Sequence, residues 1–333
     1  MKIIFCLSNL FVPHTLTLIN NSDNKVLIYT DQEGIYKLFT ELSLHNVETF
    51  FREDLNIERN IRSAKHVIKK RKEILKWLLK KRPVQVYFFH NTFGSIENWL
   101  IKELSKKTQL FHIPVFNELP FKRIYNFESL LGILKGYFFF RIITEPLWDG
   151  QIFRYKLSER FFIRYHIERL KPSIDGKYIR TLFHEKFNFT SKKIVLLSGS
   201  VVESGQVEES EYIKKINNLI KEIGIENIIV KPHPRFPYRY GLEKKLDEIP
   251  YYIPINLLYS FFDTYIGYSS TALSEAADLK LNAISTLDYL ETTNEDRAKS
   301  AKQYLISNTK FNQIYFFTDL NSLKNNEYFN KYR

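Results

Sequence analysis

The chain has 333 residues, and its 44% hydrophobic content is enough for the cores of two domains of ordinary size. Its formal net charge of +12 favours an acidic partner, which is a nucleic acid, an anionic membrane surface or a phosphorylated substrate. A single cysteine, Cys6, excludes an internal disulfide framework and argues against a structural zinc site.

The opening apolar run, Ile3 to Leu7, is too short for the apolar region of a signal peptide. The run Gly136 to Phe140 is interrupted by Arg141 and falls far below the roughly 18 to 20 residues of a membrane-spanning helix. We therefore expect a cytoplasmic protein, peripheral on the membrane at most, in which Cys6 is a small core residue.

Short β-type runs alternate with helical patterns, which predicts an α/β protein with parallel sheets. In the N-terminal half the predicted helices lie near 34–42, 58–82 and 95–106, and the predicted strands are Lys2 to Cys6, Val26 to Thr30, Val84 to His90 and Gln109 to Ile113. The following region, to about residue 191, is aromatic-rich and irregular apart from a helical pattern near Glu159 to Leu170.

Residues Lys65 to Arg82 hold the densest positive charge, with nine Lys or Arg residues against one acid, Glu73. Apolar residues recur there at three- and four-residue steps, which predicts a basic amphipathic helix. A solvated helix face is the simpler interpretation. The sharper one is contact with anionic lipid headgroups, with Trp77 near the interface. No zinc-finger spacing, RNA-binding aromatic motif or helix-turn-helix signature occurs, so we expect no nucleic-acid partner.

The C-terminal half repeats the alternation. Its predicted strands are Lys193 to Leu197, Asn227 to Lys231, Thr264 to Ile266, Asn282 to Ser285 and Ile314 to Phe317. We predict an N-terminal Rossmann-like domain over 1–155, a connecting region over 156–190 and a C-terminal Rossmann-like domain over 191–333. The motifs G-x-G-x-x-G, G-x-x-x-x-G-K-[ST] and H-E-x-x-H are absent, so neither a dinucleotide cofactor nor a metal is predicted.

Two motifs in this half suggest a site. In the first, a strand runs into Lys231-Pro232-His233-Pro234-Arg235, where the prolines disfavour a helix and present His233 at a strand end. In the second, Gly267-Tyr268-Ser269-Ser270-Thr271 follows a short strand and opens a helix, whose free N–H groups, dipole and hydroxyls suit a phosphate. An ordinary loop histidine and plain N-capping by Ser269 or Ser270 are the alternatives.

The ordered pair of motifs, in a chain with two Rossmann-like halves, resembles the bacterial sialyltransferases, closest to the lipooligosaccharide and capsule group called glycosyltransferase family 52. The resemblance covers most of the chain loosely and 190–290 best. It implies a GT-B fold, with two parallel-sheet domains facing a central cleft. It also implies inverting, metal-independent transfer of sialic acid from CMP-sialic acid to an oligosaccharide acceptor, lipid-linked or capsular, with galactose as the expected terminal sugar.

The resemblance implies that His233 protonates or hydrogen-bonds the departing phosphate, while Ser269 and Ser270 hold its other oxygens. Lys231 and Arg235 would complement the phosphate or the sialic acid carboxylate, with a solvated loop charge as the alternative. Gly267 and Pro234 belong to the same two motifs, which together would form the CMP site.

The chain departs from the family in its acidic residues. The Asp/Glu-Asp/Glu-Gly motif of several bacterial sialyltransferases has no clean copy, and Asn117-Glu118-Leu119 is a partial one. The base implied for family 52 falls on Glu203, with Glu208, Glu209 and Glu211 following. The alternative for the last three is acidic residues in the first turn of a helix, where they suit the dipole. Asn256 stands where a ribose-binding glutamate is expected, and it lacks the strength of a charged acceptor.

Gly199 and Ser200 follow a predicted strand, where ligands approach open α/β sheets, although the glycine could equally be only a turn. Alternatives at the level of function are a transferase of another CMP-activated acid sugar, of the Kdo or pseudaminic type, and a non-catalytic CMP-binding subunit of a polysaccharide assembly complex. A homodimer is also left open.

Overall fold

The structure, a computed structural model, describes residues 1–53, 61–89, 95–115, 159–187, 194–234, 242, 246–310 and 313–324. The chain divides into two compact units, unit 1 ending at Asp175 and unit 2 beginning at Gly176. The division lies within the stretch that the sequence predicted to connect two domains.

The described part of unit 1 contains a six-stranded sheet in the order β3-β2-β1-β4-β5-β6. Every pair is parallel. The strands are β1 (Lys2–Phe5), β2 (Val26–Thr30), β3 (Val47–Phe51), β4 (Gln85–Phe88), β5 (Gln109–His112) and β6 (Glu168–Arg169), and the helices are α1 (Val12–Asn20), α2 (Glu33–Leu42), α3 (Ile61–Lys80), α4 (Ser95–Ser105) and α5 (Glu159–Arg164).

The described part of unit 2 contains a second six-stranded parallel sheet, in the order β12-β11-β10-β7-β8-β9. The strands are β7 (Ile194–Leu197), β8 (Ile228–Lys231), β9 (Asp247–Glu248), β10 (Thr264–Gly267), β11 (Asn282–Ser285) and β12 (Tyr315–Phe316), and the helices are α6 (Gly176–Lys186), α7 (Glu209–Ile223), α8 (Thr271–Asp278), α9 (Glu295–Asn308) and α10 (Leu320–Lys324).

Counted within each unit, both sheets have the order 3-2-1-4-5-6 of a Rossmann fold. Central strands such as β2, β7 and β8 are buried along their whole length, as expected where helices cover both faces of a parallel sheet. The predicted α/β class with two Rossmann-like, parallel-sheet domains is confirmed. The expectation that Cys6 is a core residue is also confirmed, and burial raises the pKa of its thiol to about 12.

Three strands escaped sequence-based prediction because they lie towards the sheet edges. β6 and β9 are two-residue strands of exposed charged residues, so neither has an apolar pattern. β3 contains Glu48 and is only partly buried. The predicted helix near Glu159 to Leu170 was too long, since α5 ends at Arg164 and His166 has a left-handed φ of 50° before β6 begins.

Candidate functional site

Three neighbouring strands of unit 2 bring the two sequence motifs to the same side of the sheet, where the carboxyl ends of the strands lie. β7 pairs in parallel with β8 on one side and with β10 on the other. Ser200 follows β7, His233 follows β8, and Ser269 with Ser270 follows β10. The strand order reverses between β7 and β10, and open α/β sheets bind ligands outside the carboxyl ends of strands at such a point.

The N-terminus of α8 is built as the sequence predicted. Ser270 is its N-cap, with extended backbone angles, and its Oγ accepts a hydrogen bond from the Ala272 N–H at 3.3 Å. Capping uses the oxygen as an acceptor and leaves the hydroxyl proton available to a ligand. Ser269 is half-buried beside it. Together with the N–H groups of the first turn and the helix dipole, these hydroxyls can bind an anion.

Gly267 and Gly199 have different reasons to be glycine. A Cβ on Gly267 would lie 3.1 Å from the Leu197 Cβ on the neighbouring strand, which is too close without a shift. A Cβ on Gly199 would meet only the Val201 Cγ1, at an ordinary contact distance of 3.5 Å. Packing within unit 2 therefore explains Gly267 and leaves Gly199 unexplained.

We expect Gly267→Ala to destabilise the protein by about 1–3 kcal/mol, as overpacking does, and Gly199→Ala to leave the thermal midpoint unchanged. If Gly199 approaches the nucleotide closely, the added methyl group weakens CMP binding. Thermal unfolding and CMP titration of both variants separate the two effects. Wild-type CMP affinity in Gly199→Ala would show that this glycine serves only the turn.

His233 lies directly beyond β8, which ends at Lys231. The buried Pro232 ends the strand, and His233 itself is half-buried, while Pro234 is exposed. The expected presentation of a histidine at a strand end is therefore present. Arg235 lies outside the described residues.

Lys231 differs from the expectation that its ammonium faces a ligand. Lys231 is only 4% exposed, and its Nζ donates hydrogen bonds to the Pro232 carbonyl at 2.8 Å and the Tyr251 carbonyl at 3.0 Å. Burial lowers the pKa of its side chain to about 7, while the carboxylate of Glu248 acts in the opposite direction. The side chain serves the surrounding backbone in this structure.

Asn256 lies in a short 3-10 helix, Ile255–Leu257, and is half-buried. Its Oδ1 is buried and accepts no hydrogen bond from any described residue. A buried acceptor without a donor costs roughly 1–3 kcal/mol. A hydroxyl that donates a hydrogen bond to this amide oxygen would remove that cost. The sequence predicted such a contact for Asn256, with a ribose hydroxyl.

Glu203 is exposed on the loop between β7 and α7. Glu208 is the residue before α7, and Glu209 and Glu211 lie in its first turn, where acids suit the helix dipole. The helix-start explanation that the sequence offered for these acids is therefore sufficient. Among these four acids, Glu203 is the one that lies within the loop and away from the helix start.

The β7–α7 loop is tied to a segment almost ninety residues later in the chain, a feature that the sequence analysis missed. Thr293 Oγ1 donates to the Gly205 carbonyl at 2.6 Å, and Thr292 Oγ1 donates to the Gln206 carbonyl at 3.1 Å. The Arg297 guanidinium donates to the Ser204 carbonyl at 3.2 Å. The hydroxyl-rich run Thr292-Thr293-Asn294 was the available signal, and we name these three contacts the loop tie.

Within the described residues, no group of three or more His, Cys, Asp or Glu side chains is arranged to hold a metal ion. None of the helices in these parts of the chain has the length and apolarity required to span a membrane. The absence of a metal requirement stays a prediction.

No protein-family model matches the chain, and no curated protein matches it. Among solved structures, the glycosyltransferase of kitacinnamycin is 11% identical, with 99% of this chain and 92% of that chain covered and a TM-score of 0.47. UDP-GlcNAc 2-epimerase from Neisseria meningitidis, bound to UDP-GlcNAc, is 14% identical, with 100% and 94% covered and a TM-score of 0.43.

MurG from Acinetobacter baumannii is 9% identical, with 98% of this chain and 92% of that chain covered and a TM-score of 0.41. None of these three structures is described as a sialyltransferase. At these identities and TM-scores the matches assign no activity to the chain. The resemblance to family 52 therefore stays a prediction carried by the two motifs.

Proposed function

We propose that this protein is an inverting glycosyltransferase of the GT-B type that transfers sialic acid from CMP-sialic acid to the terminal sugar, galactose, of a capsular or lipid-linked oligosaccharide. One observation carries the proposal: His233 follows β8, Ser269 and Ser270 follow β10, and these two strands flank β7 in the parallel sheet, at the strand-order reversal of unit 2. A candidate acid, His233, and the anion-binding donors at the start of α8 thus lie at the carboxyl ends of strands in the same sheet.

The chemistry suits a nucleoside monophosphate as leaving group. The acceptor hydroxyl loses its proton to a carboxylate, its oxygen forms the new bond to the anomeric carbon of sialic acid, and the bond from that carbon to the CMP phosphate oxygen breaks. His233 donates a proton or hydrogen bond to the departing oxygen, and Ser269 and Ser270 bind the other phosphate oxygens. Asn256 accepts from a ribose hydroxyl.

The experiment that tests the proposal is calorimetric titration of the full chain with CMP, CDP, UDP and GDP, with and without EDTA. Selective binding of CMP that EDTA does not change is the expected result. Turnover of CMP-sialic acid with a galactose-ended acceptor follows, with CMP-Kdo and a CMP-pseudaminic-type sugar as competing donors. Tighter binding of a diphosphate, or binding of none, overturns the proposal, and CMP binding without turnover of any donor indicates a non-catalytic subunit.

Glu203 is proposed as the base, and we expect Glu203→Gln to abolish transfer while the thermal midpoint and CMP affinity stay at wild-type values. The exposed position of the residue makes a folding effect small, because surface substitutions usually change stability by less than about 0.5 kcal/mol. Initial rates under saturating donor measure the loss. Full activity in this variant would move the assignment to Glu208 or Glu211, or to Glu118, which lies outside the described residues.

The membrane contact proposed for residues 65–82 rests on a lysine stripe along α3. Its five lysines recur at four- and three-residue steps, so they share one helix face, and all are exposed. They are Lys65, Lys69, Lys72, Lys76 and Lys80. Within the described residues, none of the five makes an ion pair, which leaves the stripe available to anionic headgroups.

Trp77 is not available as an interfacial anchor. Its ring lies 4.6 Å from that of Phe50, and the Lys81 ammonium covers it at 4.8 Å from the ring centre. The apolar face of α3 is likewise buried against the sheet of unit 1 by Val67, Ile74 and Leu78. The contact proposed here is therefore electrostatic only, which differs from the expectation that included an aromatic side chain.

We expect Lys69→Glu/Lys72→Glu/Lys76→Glu to lower binding to vesicles containing phosphatidylglycerol by a factor of 100 or more, at about 1 kcal/mol per lysine near the surface. The matched control, Lys214→Glu/Lys221→Glu/Lys310→Glu, makes the same change in net charge on exposed lysines of unit 2. Co-sedimentation with charged and neutral vesicles over a salt series measures both variants. Equal loss in the two would show that net charge, and not the stripe, governs binding.

A further inference from the structure

Lys231 is the only buried lysine in the part of the chain that the structure describes. Its side chain donates to the Pro232 and Tyr251 carbonyls, and its own carbonyl accepts from the Ser198 N–H at 3.0 Å. One residue thus connects the ends of β7 and β8 with the segment that leads to Asn256. These are three of the segments that carry candidate site residues.

No carboxylate of the residues that the structure describes forms an ion pair with the ammonium. Within the described residues its hydrogen-bond partners are two neutral carbonyls, and the charged group that acts on it is Glu248, an exposed residue of the neighbouring β9. Burial of a cation without an ion pair costs free energy that an apolar side chain of the same length avoids. The ammonium instead makes two hydrogen bonds, which connect the backbone at Pro232 with the backbone at Tyr251.

We propose that Lys231 is a positioning residue, which holds the Pro232 carbonyl and thereby fixes the direction in which the next residue, His233, presents its imidazole. The inference rests on the proposed function, which gives His233 a reaction to serve. The proposal gives Lys231 no contact with the donor, because its side chain is buried and two of its three N–H groups donate to backbone carbonyls of unit 2. Its effect on transfer passes through His233.

The arrangement depends on pH in a direction that can be worked out. The pKa of Lys231 is about 7, so the ammonium is present below that pH and the amine above it. A neutral amine donates weaker hydrogen bonds than an ammonium does. The hold on the Pro232 carbonyl therefore weakens as pH rises through 7. Since the Glu248 carboxylate favours the ammonium, its removal shifts that change to lower pH.

The test follows the imidazole signal of His233 by NMR in histidine-labelled full chain, with the signal assigned from His233→Asn. Lys231→Met keeps a side chain of similar length and removes the two N–H hydrogen bonds to the Pro232 and Tyr251 carbonyls. Its control is Lys214→Met, on an exposed helix face. We expect Lys231→Met to shift the His233 signal and to lower kcat at least tenfold with little change in KM for the donor. The control should change neither.

Glu248→Gln provides a second test that keeps the lysine and changes only an exposed residue, so it applies even if Lys231→Met does not fold. It should move the lysine-linked change in the His233 signal to lower pH. An unchanged His233 signal in Lys231→Met, or a shift to higher pH in Glu248→Gln, overturns the proposal. The NMR result needs no ligand, so it is decided separately from the proposed function, which fails instead if the wild-type chain binds no CMP.

Discussion

His233→Ala should lower kcat by about 10²- to 10⁴-fold, the range that a positioned general acid contributes, while CMP affinity stays within a few-fold of wild type. In the proposed mechanism the imidazole acts on the departing oxygen, and this oxygen acquires its charge only as the glycosidic bond breaks. A group that acts chiefly in the transition state lowers kcat when it is lost, and leaves ground-state binding nearly unchanged.

The matched control is His184→Ala, a change of an exposed histidine in the last turn of α6 in the same unit. His233→Asn adds a side chain that hydrogen-bonds but cannot donate a proton as an acid, so its residual rate separates hydrogen bonding from protonation. Rates under saturating donor and calorimetric CMP affinities are the measurements. Wild-type kcat in His233→Ala would remove the proposed mechanism.

Ser269→Ala should weaken CMP binding by roughly 10- to 150-fold, the loss of one hydrogen bond to a charged group at about 1.5–3 kcal/mol. Ser270→Ala should add a loss of stability of about 1 kcal/mol, because its Oγ also caps α8. Combined with Ser269→Ala it should weaken CMP binding further than either change alone.

Ser270→Thr is the matched variant, since threonine keeps both the hydroxyl and the ability to cap a helix. It should retain CMP binding and stability. Calorimetric CMP titration and thermal unfolding of wild type and these four variants separate binding from capping. If the double alanine variant binds CMP as well as wild type does, the N-terminus of α8 is a capped helix start and not a phosphate site.

The sequence predicted those parts of the structure that rest on strong local patterns. Apolar runs located nine of the strands, and the prolines around His233 located the end of β8. The hydroxyl residues after Gly267 predicted that α8 begins at Ser269 or Ser270, and Ser270 is its N-cap. Edge strands such as β6 and β9 were missed because two charged residues carry no periodicity.

The direction of a side chain and contacts between distant segments were harder to predict. The residues that flank Lys231 in the sequence do not indicate that its ammonium is buried and donates to the Tyr251 carbonyl. The loop tie joins segments separated by almost ninety residues, and such pairing depends on the assembled sheet. The base is the least determined residue for a related reason, since Glu203 lies on a loop with no pattern of its own.

The loop tie also bears on the thermodynamics of nucleotide binding. A loop that becomes ordered only on ligand binding loses conformational entropy at that step. This loss weakens binding by roughly 0.5–1.5 kcal/mol for each immobilised side chain. Here Thr292, Thr293 and Arg297, which follow β11 in the chain, already donate hydrogen bonds to the loop after β7. The loop therefore loses this conformational entropy when the protein folds. A nucleotide that binds at the carboxyl ends of these strands would not have to order the loop.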